Sequence, residues 1–254
     1  MRKIMPLLYP IISLTLLLII WDLSVRLFDI PDYLLPGPAA VFMALYQSFA
    51  DASIWPHIAA TLSEIAMGYT FGSLLAIVLG ITLAESATFE RFVYPLLIAL
   101  QAMPKVALAP IILVWCGFGI ASKVVLVTLV CFFPLFVNTV NGIRRTDNEL
   151  LDACRAFSAS KLYLLIQVKI PSAASEIFSG LQIGVSLALI GAVVAEFLSA
   201  QRGLGYLIAS SSINMSLSTM FASVMLLALI GICGTQVIKF LHRKVVFWEE
   251  SPRR

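Results

Sequence analysis

The residues able to bind a metal or form a disulfide are few and widely spaced in this sequence. The cysteines and histidines are Cys116, Cys131, Cys154, Cys233, His57 and His242. None of the cysteines forms a C-x-x-C pair, and the two histidines cannot complete a zinc site at a recognisable spacing. We therefore expect no metal site, and we interpret the cysteines as reduced packing residues.

The sequence also lacks the glycine-rich loop that binds nucleotide phosphates. No segment matches G-x-x-x-x-G-K-[ST], in which backbone amides surround the phosphates. We therefore expect that the chain binds no cofactor and catalyses no reaction by itself. An integral-membrane enzyme would need His, Asp or Arg clustered at one membrane face, whereas the two histidines are distant in sequence. The net charge of +3, without a basic tract that alternates with aromatic residues, argues against nucleic-acid binding.

A few ionisable and polar residues interrupt long apolar segments, where a charge costs from about 2.5 to above 10 kcal/mol. Lys105 would attract an anionic solute, form an ion pair with Glu64, or reach the lipid headgroups, and we favour the last two. Glu196 would contact a partner or water. Prolines in these segments indicate breaks that line a cavity. The predicted residues of a translocation pathway are Gln101, Lys105, Pro110, Asn138 and Glu196.

The composition indicates which elements position these residues. Hydrophobic residues make up 60% of the 254 residues and charged residues 12%, whereas soluble domains have about 45–50% and 25%. The surplus apolar surface must face lipid. Because about 20 apolar residues span a bilayer as a helix, we predict an all-α polytopic membrane protein with about six transmembrane helices. The predicted spans, within one transmembrane domain over 1–254, are 7–27, 58–84, 93–116, 122–140, 176–198 and 217–240.

The distribution of lysine and arginine predicts the orientation of these spans. With the N-terminus inside the cell, most of the 17 lysines and arginines fall in cytoplasmic segments, as the positive-inside rule requires. We therefore expect both termini to be cytoplasmic. No small-x-small cleavage site follows the first span, which predicts a retained signal anchor. The longest cytoplasmic segment is then 141–175, between the fourth and fifth spans, and it contains residues 144–171.

This cytoplasmic segment has the pattern of two short helices joined at a bend. Thr146 and Glu149 form a capping-box pattern that predicts a helix over about 147–157. A second helix is predicted over 161–170, and Pro171 is expected to end it. On the first helix, one face carries apolar residues at helical spacing, which are Leu150, Leu151, Cys154 and Phe157. An apolar face on such a protrusion docks on a partner protein or lies on the lipid headgroups, and the residues alone favour neither.

The spacing within this segment resembles the coupling loop of importer permeases in the ATP-binding-cassette superfamily. The pattern of that loop is E-A-A, three residues, G, nine residues, I-x-L-P. At the same spacing this sequence has Asp152-Ala153-Cys154, then Ser158, then Val168-Lys169-Ile170-Pro171. Ser158 is the main departure, because glycine adopts a positive φ at a bend freely and serine only at a cost.

The resemblance extends beyond the loop, to about residues 35–250. The sequence is similar to the branch of these permeases that serves nitrate, taurine, alkanesulfonates and some vitamin-precursor heterocycles. The segments that resemble this branch outside the loop are 35–41, 104–119, 132–142, 194–196 and 203–208.

This resemblance implies a type I importer permease in the bacterial inner membrane. Two permease copies, as a homodimer, would form the pathway, and an external solute-binding protein would deliver the solute. Two cytoplasmic ATPase subunits, which bind ATP and Mg²⁺, would dock on the loop. The residues implied in this docking are Glu149, Asp152, Ala153, Cys154, Phe157, Ser158 and Pro171. The alternative is a self-sufficient secondary transporter or channel, which would need an intramembrane relay of ionisable groups.

Overall fold

The computed structural model describes residues 5–248, in which every regular element is a helix. The predicted all-α class is therefore confirmed. The termini, predicted to be cytoplasmic, lie outside the described residues. The α-helices are α1 (Met5–Leu27), α2 (Pro38–Ala50), α3 (Trp55–Glu85), α4 (Ala87–Ala102), α5 (Ala109–Cys116), α6 (Ile120–Arg144), α7 (Asn148–Ala156), α8 (Lys161–Tyr163), α9 (Ile170–Ser199), α10 (Leu204–Ile213) and α11 (Leu217–Val245).

Long apolar helices account for most of the predicted spans. α3, α6, α11 and the continuous helix Lys161–Ser199, which includes α9, are each long and apolar enough to cross a membrane. They contain 25 to 39 residues, which at about 1.5 Å per residue exceeds the hydrocarbon thickness of about 30 Å. They contain the second, fourth, fifth and sixth predicted spans. α1, with 23 residues, corresponds to the first.

Glycines allow α3, α6 and α9 to pack closely as the centre of the bundle. A Cβ atom added to Gly68 of α3 would lie 2.5 Å from the Cβ of Val127 on α6. One added to Gly180 of α9 would lie 2.9 Å from the Cα of Leu135, also on α6. Small residues let helix backbones approach. Two pairs of glycines spaced four residues apart therefore serve packing within the chain, and these are Gly68 with Gly72 and Gly180 with Gly184.

The bundle has two ends that differ in structure. We call the end that carries residues 144–171 the loop end, and the opposite end, where α9 is followed by α10, the far end. α3 begins at the far end, where the Nδ1 atom of His57 lies 3.1 Å from the carbonyl oxygen of Gly203. It finishes at the loop end, where Glu85 contacts Lys169. α6 runs in the same direction as α3, and α9 runs back towards the far end.

The predicted third span, 93–116, is not one helix. α4 ends at Ala102, a 3₁₀ turn covers Lys105–Leu108, and α5 follows at an angle of 90° to α4. Pro104 explains the position of the break. Its ring disfavours helical backbone at the preceding Met103, which is extended with φ −72° and ψ 137°.

The helix cap predicted in the cytoplasmic segment is displaced by one residue. The N-cap of α7 is Asp147, whose side chain accepts a hydrogen bond from the backbone N–H of Glu149. Thr146 instead donates its hydroxyl to the carbonyl of Ile143, 3.0 Å away, and so closes the end of α6. The capping-box prediction for Thr146 and Glu149 is therefore wrong, because aspartate caps a helix as well as threonine and stands next to it.

The prediction that Pro171 ends the second loop helix is also wrong. From Lys161 the chain stays helical through Ser199, with a π-helical segment over Leu164–Lys169 immediately before α9. Pro171 occupies the first turn of α9. A π-turn widens the helix, which accommodates the missing N–H of proline and its ring at a place where a regular α-helix would break.

Candidate functional site

Three of the predicted pathway residues line one cavity at the break between α4 and α5. Gln101, Lys105 and Asn138 share this cavity, which has a volume of about 480 Å³. Non-helical backbone at membrane depth is tolerated where it lines a cavity, as the break does here. The other lining residues, mostly apolar, are Pro104, Val106, Val130, Phe133, Pro134, Val137, Leu187 and Ile190.

Lys105 lies in this cavity without a carboxylate partner among residues 5–248. Its Nζ atom is 4.6 Å from the ring centroid of Phe133, in the range of a cation–π interaction. It also donates a hydrogen bond to the carbonyl of Gln101, 3.3 Å away. The alternative that Lys105 pairs with Glu64 is wrong, because Glu64 pairs with a different lysine.

That lysine is Lys123, near the start of α6. Its Nζ atom lies 2.6 Å from the Oε1 atom of Glu64 on α3, and both side chains are at least nine-tenths buried. The amino-acid sequence alone did not predict this pair. Helical spacing could have indicated that Glu64 faces α6. Glu64, Gly68 and Gly72 follow one another at intervals of four residues and so share the face of α3 that meets α6.

Glu196 ties the far end of the bundle together instead of contacting a partner or water. It is 1% exposed and accepts hydrogen bonds from the hydroxyl of Thr61 at 2.6 Å and the backbone N–H of Gly205 at 2.5 Å. Gly203 has φ +128°, and a Cβ there would overlap the carboxylate. Neither Glu196 nor Pro110 is among the residues that line the cavity. The role of all five residues in a translocation pathway stays a prediction.

A second, smaller cavity continues the first towards the loop end. It has a volume of about 140 Å³ and shares Gln101, Phe133 and Val137 with the larger one. We call the two cavities together the passage. Its lining reaches Arg144 at the end of α6, where a guanidinium nitrogen of Arg144 lies 2.6 Å from the Oε1 atom of Glu90 on α4.

The predicted docking residues divide into exposed and supporting positions. Glu149, Asp152, Ala153, Phe157 and Ser158 are exposed, whereas Cys154 is half-buried. Phe157 is 89% exposed, the largest exposed fraction among the apolar side chains described. Pro171 lies apart from the others, in the first turn of α9.

A small apolar core fixes the shape of the loop. Leu151 of α7 packs against Leu164 and Val168 of the following helix, with Cys154 beside them. Leu150 and Phe157, expected on the same face, remain exposed. The helices meet at a bend in which Ser158 has φ +61°. Serine therefore takes the left-handed conformation that glycine adopts without cost.

The loop also carries an open pocket at its bend. It has a volume of about 580 Å³. Phe157 and Tyr163 supply aromatic rings to it, and Cys154, Ser158, Ala159 and Ser160 complete the lining. A rigid bend with an exposed aromatic ring and an adjacent pocket is a surface suited to docking on another protein.

Comparison with known proteins places the chain among transport proteins. Residues 68–247 match the family described as "Binding-protein-dependent transport system inner membrane component". The chain is 35% identical over 251 residues to the formylaminopyrimidine transport permease protein ThiX of Halalkalibacterium halodurans, with 99% of this chain and 100% of ThiX covered. It is 37% identical over 240 residues to the riboflavin transport system permease protein RibX of Chloroflexus aurantiacus, with 94% and 90% covered.

More distant relatives and solved structures agree with this placement. The taurine transport system permease protein TauC of Escherichia coli is 29% identical over 241 residues, with 93% of this chain and 88% of TauC covered. In fold, the chain resembles a chain of the MetNI methionine ABC transporter in an inward-facing conformation, with a TM-score of 0.59 at 18% identity. That match covers 73% of this chain and 93% of the other.

Proposed function

This chain belongs to the family of inner-membrane components of binding-protein-dependent transport systems, and on that premise we propose that it couples a separate ATPase to solute import. As a permease subunit of an ATP-binding-cassette transporter it is a transport protein and not an enzyme. The observation that carries the proposal is the shape of segment 144–171, a bend held by its own apolar core that exposes Phe157 beside an open pocket. Such a rigid protrusion transmits movement where a flexible loop would not.

In this proposal the loop is the docking site of the ATPase. The exposed ring of Phe157 inserts into a groove of the ATPase, and Asp152 and Glu149 contribute charges at the rim. ATP and Mg²⁺ are bound by the partner, which closes on ATP and moves the loop as a unit. The passage then opens alternately to the two sides of the bacterial inner membrane. A second copy of this chain and an external solute-binding protein complete the importer.

The favoured solute is a small neutral nitrogen heterocycle of the kind named for ThiX and RibX. Identities of 35% and 37% to these two permeases exceed the 29% to the taurine permease. The lining of the passage also suits a neutral heterocyclic solute, because it is mostly apolar and includes the aromatic ring of Phe133. Gln101 and Asn138 add amide groups that donate and accept hydrogen bonds, as ring nitrogens and carbonyls require.

A second candidate solute is a small organic anion such as a sulfonate. The observation that favours it is Lys105, whose ammonium group faces the cavity without a carboxylate partner among the described residues. A single unpaired cation in an apolar cavity attracts an anion. The two candidates differ in charge and so are separable by competition for uptake.

The docking proposal is tested by co-purification of the chain with a co-expressed ATP-binding-cassette ATPase. We expect Phe157→Asp and Asp152→Arg each to abolish capture of the ATPase while insertion into the membrane is unchanged. Phe28→Asp is the matched control, because Phe28 is also an exposed ring, 77% exposed, but lies in the turn after α1. Capture of the ATPase by both loop variants at the wild-type level would refute the proposal.

A further inference from the structure

Both ends of the loop are attached to the same short turn of the bundle. This junction, residues 85–90, comprises the last residue of α3, the N-cap Ser86 and the first four residues of α4, and we call it the α3–α4 turn. At one end of the loop, Arg144 pairs with Glu90 at 2.6 Å. At the other end, the Nζ atom of Lys169 lies 2.5 Å from the Oε1 atom of Glu85. The segment that would meet the ATPase is thus connected to one place in the membrane domain by two ion pairs.

The positions of these charges suit their helices. Glu90 lies in the first turn of α4, and Arg144 in the last turn of α6. A carboxylate at a helix N-terminus and a cation at a C-terminus each interact favourably with the helix dipole. The Glu90–Arg144 pair therefore joins two helix ends that are electrostatically complementary, and it fixes the position of α4 relative to α6.

α4 is the least firmly packed of the helices that line the passage. None of its residues is buried, and only Phe89, Val93 and Leu97 pack against the central core. α4 begins at the α3–α4 turn and ends at the break before Lys105. A helix with few buried contacts that is bounded by a turn and a break moves with little cost in packing.

α4 also forms a wall of the passage. Tyr94, Leu97, Ile98 and Gln101 of α4 line the smaller cavity opposite α6, and Arg144 of α6 also lines it. A shift of α4 relative to α6 changes the width of the passage along this wall. The Glu90–Arg144 pair stands where the passage meets the loop end.

We propose that Glu85 and Glu90 are positioning residues that transmit the movement of the loop to α4 and so open and close the loop end of the passage. This inference rests on the proposed function, since it takes the loop to be moved by an ATPase. All four charged side chains are 19–40% exposed. Ion pairs exposed to this degree contribute little to stability, so their removal is expected to change coupling and leave folding intact.

The test measures movement of α4 without knowledge of the solute. In the complete importer, with the native cysteines replaced, Tyr94→Cys places a thiol on the passage wall of α4. Its rate of modification by the anionic reagent 2-sulfonatoethyl methanethiosulfonate is compared without nucleotide and with ATP plus vanadate. We expect nucleotide to change the rate by about tenfold, within the usual range for coupling between linked sites. With Glu85→Gln and Glu90→Gln together, we expect a change of about twofold or less on the same basis.

Two controls separate coupling from a general effect of charge. Glu176→Gln removes an ion pair to Arg145 at the same end of the bundle but none to the α3–α4 turn, and it should keep the wild-type response. The exchanged pair Glu90→Arg with Arg144→Glu should restore the response that Glu90→Gln weakens. All these variants should still capture the ATPase.

The possible failures are distinguishable. If the wild-type chain captures no ATPase, the proposed function itself is wrong. If it captures the ATPase but nucleotide leaves the labelling of Tyr94→Cys unchanged, α4 does not move and this inference is wrong. A double glutamine variant that responds like the wild type, or that loses ATPase capture, also overturns it.

Discussion

At the scale of single residues, the far half of the bundle contains an ion pair that is costly to leave incomplete. Glu64 and Lys123 contact each other at 2.6 Å with almost no exposure to solvent. The second carboxylate oxygen of Glu64 has no hydrogen-bond partner within the described part of the chain. Burying two charges costs free energy that their attraction only partly offsets, so the pair specifies the α3–α6 contact more than it adds stability.

We predict that Lys123→Met destabilises the protein strongly, whereas Lys123→Met combined with Glu64→Met does not. The single change leaves a buried carboxylate unpaired, at a cost of about 3–5 kcal/mol, and the double change removes both charges. Thermal unfolding of the purified chain in detergent measures the difference. Arg26→Gln, which breaks an exposed pair with Asp22, should leave the midpoint nearly unchanged. A double variant as unstable as the single one would contradict this account.

At the scale of elements, close helix packing depends on positions that tolerate no side chain. Gly180 of α9 faces the backbone of Leu135 on α6, and Gly72 of α3 faces the sulfur atom of Cys131, also on α6. α6 is thus in contact with glycines of both α3 and α9. Movement within the importer must therefore occur elsewhere than at these seams, because close-packed helices do not slide without separating.

We predict that Gly180→Leu separates α9 from α6 and destabilises the bundle. An added Cβ would meet the Cα of Leu135 at 2.9 Å, and overpacking of this kind costs about 1–3 kcal/mol or more. Gly37→Ala is the control, since nothing lies within 4 Å of an added Cβ there. Unfolding midpoints in detergent compare the two variants. Equal midpoints would mean that the seam between α6 and α9 is not tightly packed.

The elements differ in how far the sequence predicts them. Long apolar segments predict α3, α6, α9 and α11 because a bilayer requires about 20 apolar residues per span. The effects of prolines are not predictable from spacing alone. Pro104 breaks a helix where a cavity accepts the exposed backbone, whereas Pro171 is accommodated by a π-turn. Either outcome depends on the surroundings in the folded chain.

The candidate site likewise contains residues that the sequence predicts and contacts that only the folded structure shows. The docking residues of the loop follow from the resemblance to the coupling loop, and the cavity residues Gln101, Lys105 and Asn138 from polar groups in apolar segments. Their roles in docking and transport stay predictions. The partner of Glu64 was not, because many registers of two neighbouring helices are compatible with their sequences. Which lysine reaches Glu64 depends on the contact of glycines with α6, and only the packed structure fixes that contact.

At the scale of the whole molecule, buried hydrogen bonds join the elements of the far end, whereas exposed or partly exposed charges attach α4 and the loop at the loop end. Glu196 connects α9 to α3 and to the start of α10 through buried hydrogen bonds. At the loop end, exposed or partly exposed ion pairs join the turn between α3 and α4 to the ends of the loop. This arrangement favours movement of α4 at the loop end, while the helices at the far end stay fixed relative to one another.

The last prediction concerns the solute that passes through this molecule. Cells with the complete importer should accumulate labelled formylaminopyrimidine, and an excess of unlabelled taurine should not reduce this uptake. Lys105→Gln should lower the uptake by about fivefold or less, since a neutral ring loses at most one hydrogen bond, which contributes about 1 kcal/mol. If the solute is instead an anion, taurine uptake is observed and Lys105→Gln abolishes it, because this change removes the only ammonium group among the described residues that line the cavity. If the cells take up taurine but not formylaminopyrimidine, and Lys105→Gln abolishes the taurine uptake, the solute is a sulfonate and not a heterocycle. The proposed transport function would still hold.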